Sequence, residues 1–184
     1  MEKSPIHEAM RLLNRTLSDM NISFAIAGAM TANAHGHRRT TADVDILIRS
    51  EDLQRFKDAY IGRGWVNKFE GSKNFRDAAN GVDIDPLITG QFPGDRKPKS
   101  IAFPDPKDVA EIHEDGIPYI SLPTLLNLKI ASGMTAAHRL QDLADAIQLI
   151  KAKQLTIEFA SDLNPFVQVK FRELWHAAQV NDDY

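Results

Sequence analysis

The sequence predicts an α+β fold, in which a small mixed β-sheet is flanked by helices and followed by a helical C-terminal part. Two observations support this class. Short apolar segments alternate with helical patterns as far as Ser121, and helical periodicity alone continues from Leu122. The length of 184 residues suits one core with a helical appendage. We therefore predict an α/β core at residues 1–121 and a helical subdomain, packed on it, at residues 122–184.

The first predicted elements are a helix, a strand and a second helix. A serine and a proline at residues 4–5 favour a helix start, and apolar residues follow at helical spacing over residues 5–20. Residues 23–27 form a short apolar run that ends at Gly28, and residues 30–34 are helix formers. This order predicts a strand, a tight turn and a helix.

The later elements follow from similar patterns. The segment TTADVDILI at residues 40–48 predicts a strand, and Ser50 begins a helix of about a dozen residues that two glycines end. Further short runs predict strands at residues 65–69, 74–78 and 82–88, a loop at 89–107, a hairpin formed by 109–113 and 117–121, and helices at 123–134, 136–153 and 165–179.

Composition excludes several classes of function. The chain contains no cysteine, which excludes disulfides, thiolate nucleophiles and thiolate metal sites. No segment resembles a membrane span or a signal peptide, so we expect a cytoplasmic protein without membrane contact. Because the net charge is −3, any polyanion must be bound by a local basic cluster. Two such clusters are present, at residues 35–39 and 96–99.

Two pairs of aspartates are the main candidate site residues. Strand side chains alternate between faces, so Asp43 and Asp45 point the same way, roughly 6 to 7 Å apart. Like charges at that distance repel unless a cation lies between them. Asp83 and Asp85 repeat the spacing on a later strand. In a structural alternative, Asp43 caps a turn and Asp45 pairs with an arginine. Carboxylates from two strands instead suit hard divalent cations, Mg²⁺ or Mn²⁺.

The proposed cations indicate a reaction class. Two Mg²⁺ ions about 3.5 to 4 Å apart clamp an attacking hydroxyl and a leaving pyrophosphate during in-line displacement. Asp43 and Asp45 would bind both ions, and a third carboxylate, Asp83 or Asp85, would bind the ion nearer the acceptor and help to remove its proton. Gly28 adds a helix start, where backbone N–H groups favour phosphate.

The ordered set of strand, Gly28, helix, Asp43-Val44-Asp45 and Asp85 resembles the polymerase-β-like nucleotidyltransferase superfamily, whose pattern is hG[GS], then DxD, then hDh. Together with GQFPGDRKPK, ISLPTLLNLKIASGM and HRLQDLADAIQLI, it is similar to the bacterial branch that includes nucleotidyltransferase toxins of abortive-infection and type IV toxin–antitoxin systems. The resemblance covers residues 22 to about 150, and its hDh position favours Asp85 over Asp83.

The resemblance implies a nucleotidyltransferase-like fold and the transfer of an NMP from an NTP to a hydroxyl of an RNA 3′ end, a protein or a small molecule. The implied partners are the NTP, a tRNA or protein acceptor, and a cognate antitoxin protein. Lys129 corresponds to a lysine near the triphosphate. Arg139, Asp142 and Asp145 correspond to an R-x-K-D-x-x-D helix motif.

Two departures from the pattern support a different function. Ala29 stands where the superfamily has glycine or serine, and Gln141 stands where the helix motif has lysine. They motivate the alternative of a catalytically weakened binding module that acts through a protein partner. The predicted nucleotide-binding residues are Gly28, Ala29, Arg39, Thr41, Lys129, Arg139 and Asp142.

Overall fold

The computed structural model describes residues 4–180. These residues divide into two compact units. The first unit comprises residues 4–31, 40–89 and 104–120, and the second comprises residues 32–39, 90–103 and 121–180. The predicted division into residues 1–121 and 122–184 does not assign the two earlier segments to the second part, and it stays a prediction.

A seven-stranded mixed sheet forms the centre of the first unit, with strand order β3-β4-β5-β2-β1-β7-β6. The long strands β2 and β5 run parallel to each other, and β1 runs antiparallel to β2. The predicted hairpin is confirmed as β6–β7. The strands are Phe24–Ile26 (β1), Asp43–Ile48 (β2), Trp65–Asn67 (β3), Phe75–Asp77 (β4), Asp83–Ile88 (β5), Ala110–Ile112 (β6) and Pro118–Ile120 (β7).

The helices confirm the alternation that the sequence predicted. Their bounds are Pro5–Asp19 (α1), Gly28–Ala34 (α2), Ser50–Tyr60 (α3), Pro106–Val109 (α4), Leu122–Thr135 (α5), Leu140–Ala152 (α6) and Pro165–Ala178 (α7). The short helix α4 overlaps the end of the segment predicted as a loop and the first residue of the predicted hairpin, and a 3₁₀ helix at Ile157–Asp162 was not predicted. Within residues 4–180, every helix is too short or too polar to cross a bilayer.

One face of the sheet carries the apolar core of the first unit. The side chains of Val44, Ile46 and Ile48 on β2 are fully buried, and they belong to the same cluster as apolar residues of α1 and α3. Because side chains alternate along a strand, Asp43 and Asp45 point to the opposite face. The burial of alternate apolar residues therefore fixes which face displays the carboxylates.

Three buried aromatic rings hold the β3–β4 hairpin against α3. Phe56 of α3 lies 5.6 Å from the ring of Trp65 and 4.9 Å from that of Phe75, measured between ring centroids. Phe75 is also paired with Ile84 across the β4–β5 ladder. This packing fixes the register of the short strand β4 beside β5.

The second unit is built from α5, α6 and α7. Ser121 and Asn164 cap α5 and α7, since each side-chain oxygen accepts a hydrogen bond from a first-turn backbone N–H. The predicted helix 136–153 is interrupted by a 3₁₀ turn at Ala137–Arg139, and α6 follows it. A Cβ on Gly133 would lie 2.5 Å from Leu143 Cγ, so this glycine permits the close approach of α5 and α6.

Candidate active site

The parallel ladder between β2 and β5 brings the two aspartate pairs together. Asp43 is paired with Asp83, and Asp45 with Asp85. All four side chains are partly exposed on one face, whereas Val44 between the first two is fully buried on the other. Two sequence-distant DxD segments thus form one acidic surface.

The turn between β1 and α2 lies directly against Asp45. The backbone N–H of Ala27 donates to the carbonyl oxygen of Asp45 at 2.9 Å, and Gly28 then turns with a φ of +57°. A Cβ on Gly28 would lie 1.9 Å from Asp45 Oδ2. Glycine is therefore required here both for its left-handed backbone and to leave room for the carboxylate.

Asp43 is held by a local hydrogen bond. The hydroxyl of Thr41 donates to Asp43 Oδ1 at 2.6 Å. This bond fixes the orientation of the carboxylate, and the turn-capping role that the sequence left open for Asp43 stays a prediction. Thr41, predicted to bind nucleotide, contacts Asp43 directly.

The surroundings of Asp85 disfavour its ionised form. Burial, together with repulsion from Asp43, raises the pKa of Asp85 above its ordinary value. Asn74 Nδ2 donates to Asp85 Oδ1 at 2.7 Å. Asp43 and Asp85 therefore interact unfavourably when both are ionised, and a cation would relieve that repulsion.

Asp83, unlike Asp85, is surrounded by groups that favour its ionised form. Arg76 Nε donates to Asp83 Oδ1 at 2.6 Å, and Lys68 Nζ lies 3.0 Å from Oδ2. The hydrogen bond from Arg76, with the charge of Lys68, lowers the pKa of Asp83 to about 2. Because two cations already neutralise Asp83, it is less suited than Asp85 to bind a metal ion.

The donor chemistry of this surface suits a hard cation, since the four aspartates offer only oxygen ligands. Within residues 4–180, no group of three or more His, Cys, Asp or Glu side chains is arranged to hold a metal ion. Metal binding by Asp43, Asp45, Asp83 or Asp85 therefore stays a prediction.

A second cluster lies in the second unit and centres on Asp145, whose side chain is fully buried. Burial acts to raise the pKa of Asp145, but the Lys129 ammonium and hydrogen bonds from Gln141 and His37 hold it below its ordinary value. The donors to its carboxylate are Arg39 Nη1 and Lys129 Nζ at 2.7 Å, Gln141 Nε2 at 2.9 Å and His37 Nε2 at 3.2 Å.

Asp142 extends this cluster. Its Oδ1 accepts from Lys129 Nζ at 3.1 Å and its Oδ2 from the hydroxyl of Ser132 at 2.7 Å. Three residues predicted to bind nucleotide, Arg39, Lys129 and Asp142, are therefore linked by ion pairs. Arg139, the fourth in this unit, is exposed on the 3₁₀ turn before α6.

Two participants were not identified as site residues from the sequence. Asn74 precedes Asp85 by 11 residues, and the strand pairing alone brings the two side chains together. His37 belongs to a basic run whose contact with Asp145 spans 108 residues. Neither residue is part of a short motif, so a local pattern could not identify them.

Comparison with solved structures identifies the fold. A protein from Thermotoga maritima described as a "putative nucleotidyltransferase" superposes with a TM-score of 0.57 at 13% identity, covering 78% of this chain and 93% of that chain. An antigenic nucleotidyltransferase-like protein from Paracoccidioides brasiliensis gives 0.53 at 14% identity, covering 82% and 77%. No family model and no curated protein matches the sequence.

A third similar structure contains a bound ligand. ANT(2″)-Ia in complex with adenylyl-2″-tobramycin gives a TM-score of 0.54 at 8% identity, covering 94% of this chain and 99% of that chain. At these identities the likeness concerns the fold. The nucleotidyltransferase-like fold implied by the sequence resemblance is confirmed, and membership of the toxin branch stays a prediction.

Proposed function

We propose that this protein is an Mg²⁺-dependent nucleotidyltransferase, which moves an NMP from an NTP to a hydroxyl of RNA, a protein or a small molecule. The observation that carries the proposal is the register of β2 and β5, which sets Asp43 and Asp45 beside Asp83 and Asp85. The close contact of Asp45 with Gly28 supports it, because it joins the acidic surface to the turn that starts α2.

The aspartates have distinct proposed roles. Asp43 and Asp45 hold the cations, and Asp85 is the third carboxylate, which faces the acceptor and receives its proton. Asp83 is assigned to structure, because Arg76 and Lys68 neutralise it. A bound pair of Mg²⁺ ions would supply the charge that stabilises the attacking oxygen and the leaving pyrophosphate.

Each unit has its own proposed nucleotide contacts. The backbone at Gly28 and Ala29 is suited to phosphate oxygens, and Thr41 orients Asp43 beside them. In the second unit the proposed contacts are Arg39, Lys129, Arg139 and Asp142. For Lys129, ion pairs with Asp142 and Asp145 hold the buried ammonium in a fixed position.

A transfer assay tests the proposal. The protein is incubated with α-labelled NTPs, Mg²⁺ and separate pools of tRNA, protein and small molecules from a cell extract. We expect label in one pool, and we expect Asp43→Asn and Asp45→Asn each to reduce it to background. Asp162→Asn, at an exposed aspartate of the 3₁₀ helix, is the matched control and should retain transfer. Equal transfer by both site variants would overturn the proposal.

A second candidate is a nucleotidyltransferase-fold binding module that has lost catalysis and acts through a protein such as an antitoxin. Gln141 favours it, because this residue replaces the lysine of the motif and donates a hydrogen bond to Asp145. Calorimetry distinguishes the candidates. Binding of an NTP in the presence of Mg²⁺ supports the enzyme, whereas a stable partner complex without NTP binding supports the module.

A further inference from the structure

Asn74 immediately precedes β4, and its side chain donates a hydrogen bond to Asp85. In the antiparallel ladder of β4 and β5, Arg76 is paired with Asp83 and Phe75 with Ile84. Continued by one residue beyond β4, this register would set Asn74 beside Asp85, on the face that also carries Arg76 and Asp83. Each aspartate of β5 therefore has a hydrogen-bond donor beside it, Arg76 of β4 for Asp83 and Asn74 for Asp85.

The chemistry of the pair fixes the orientation of the Asn74 amide. An ionised carboxylate can accept hydrogen bonds but cannot donate them, so the amide must present its nitrogen to Asp85. The distance from Asn74 Nδ2 to Asp85 Oδ1 is 2.7 Å. The amide oxygen, Oδ1, consequently points to another partner.

That partner is not among the described residues. Asn74 Oδ1 is the one buried side-chain nitrogen or oxygen within residues 4–180 that has no hydrogen-bond partner. Buried polar atoms are almost always satisfied, and an exception at a candidate site indicates a missing water, ion or ligand. The backbone N–H of Asn74 donates to Ser72 Oγ, and its carbonyl oxygen accepts from the backbone N–H of Lys68. These two bonds fix the position from which the Asn74 side chain extends.

The partner of Asn74 Oδ1 is a hydrogen-bond donor or a cation, since an amide oxygen can accept a hydrogen bond or ligate a hard metal ion. The nearby cations Lys68 and Arg76 are directed to Asp83. A neutral O–H group suits a position between an amide oxygen and the carboxylate of Asp85. A water there can donate one hydrogen to each of the two, whereas a hydroxyl, which has one hydrogen, donates to one of them. At this surface the O–H group belongs to the acceptor substrate or to a metal-bound water.

We propose that Asn74 is a positioning residue of the transfer site, which orients Asp85 through Nδ2 and accepts a hydrogen bond from an O–H donor through Oδ1. This inference rests on the proposed nucleotidyl transfer. It adds to the site the residue that immediately precedes β4, next to Phe75, which packs against α3.

The test compares Asn74→Leu, which keeps the shape but removes the amide, with Asn67→Leu, an equivalent change at an exposed residue of β3. Mn²⁺ affinity is measured from the electron paramagnetic resonance of the free ion, and kcat and KM are measured with the acceptor found in the transfer assay. Asn74→Ser is included in case the leucine variant does not fold, and thermal unfolding verifies each fold.

If a metal-bound water donates the hydrogen bond, Asn74→Leu should weaken Mn²⁺ binding about 10- to 100-fold. If the hydroxyl of the acceptor substrate donates the hydrogen bond, Asn74→Leu should leave the Mn²⁺ affinity and the KM for the NTP unchanged and reduce kcat by a similar factor. Asn67→Leu should match the wild type in both cases. Either result supports the inference and identifies the source of the O–H group.

Two outcomes would overturn the inference, and they are distinguishable. If the wild type transfers nucleotide and the folded Asn74 variants match Asn67→Leu in affinity, kcat and KM, Asn74 has no positioning role and the proposed function stands. If the wild type neither binds Mn²⁺ nor transfers nucleotide, the proposed function itself fails.

Discussion

At the scale of single residues, Asp83 and Asp85 lie two positions apart on β5 and influence stability in opposite directions. Hydrogen bonding and charge from Arg76 and Lys68 lower the pKa of Asp83, whereas burial and Asp43 raise that of Asp85. The folded state therefore favours the ionised form of Asp83 and disfavours the ionised form of Asp85. A carboxylate that is maintained at a cost to stability is typical of a functional site.

We predict that Asp85→Asn raises the unfolding temperature at pH 7 by a few degrees. Above the raised pKa, the ionised Asp85 destabilises the folded state, and the amide removes that cost while it can still accept from Asn74. The gain should vanish as the pH falls below the ordinary aspartate value of about 4, where Asp85 is protonated in both states. Differential scanning calorimetry without metal measures the unfolding temperature under both conditions, at pH 7 and below pH 4.

Asp83→Asn is the control for that comparison, and its effect has the opposite sign. The folded-state pKa of Asp83, about 2, lies below the ordinary value of 3.8, so its contribution is present at neutral pH. That contribution is lost as the pH falls toward 2. Asp83→Asn should therefore lower the unfolding temperature at pH 7. An Asp85→Asn variant that behaved like Asp83→Asn would contradict the assigned charge states.

At the scale of elements, the buried ion cluster of Asp145 joins α5 and α6 to the segment at residues 32–39. Lys129 on α5 and Arg39 both pair with Asp145 on α6 at 2.7 Å. Buried charges are stable only while they remain paired, since each has lost its hydration. The cluster therefore makes the second unit sensitive to the loss of one carboxylate.

We expect Asp145→Asn to reduce the free energy of unfolding of the second unit by about 1 to 3 kcal/mol, because the buried Lys129 keeps only Asp142 as an ionic partner and Arg39 loses its ion pair with Asp145. Trp175 lies in the second unit and Trp65 in the first, so each indole can report on one unit. Urea denaturation followed by Trp175 fluorescence in a Trp65→Phe background measures the loss. Asp162→Asn in the same background is the control, and equal midpoints for the two variants would contradict the prediction.

Individual elements were predictable where local patterns determine them. The helix at α1 and the strand at β2 follow from apolar periodicity, and Gly28 marks the turn between β1 and α2. The break at Ala137–Arg139 was not predictable, since helix-forming residues continue across it. Ser50 was predicted to begin a helix, and it is the first residue of α3, although no side-chain hydrogen bond caps the start of this helix.

At the scale of the whole molecule, the sequence predicted the fold class and the two DxD segments, because each is a local pattern. The residues that favour or disfavour the ionised form of each aspartate are brought to it by pairing between strands that are distant in the sequence. The hydrogen bond from Asn74 to Asp85 requires the β4–β5 ladder, and the pairing of Asp43 with Asp83 requires the parallel β2–β5 ladder. A single sequence contains no local signal for either register.

The central claim is that β2 and β5 display their aspartates on one face to bind divalent cations for nucleotidyl transfer. The most direct test is to add substoichiometric Mn²⁺ to nitrogen-15-labelled protein and follow paramagnetic broadening of the assigned amide signals. The account predicts that signals of residues 43–45, 83–85 and Gly28 broaden first, and that Asp43→Asn weakens the effect. Broadening confined to other acidic segments, with these signals unchanged, would contradict it.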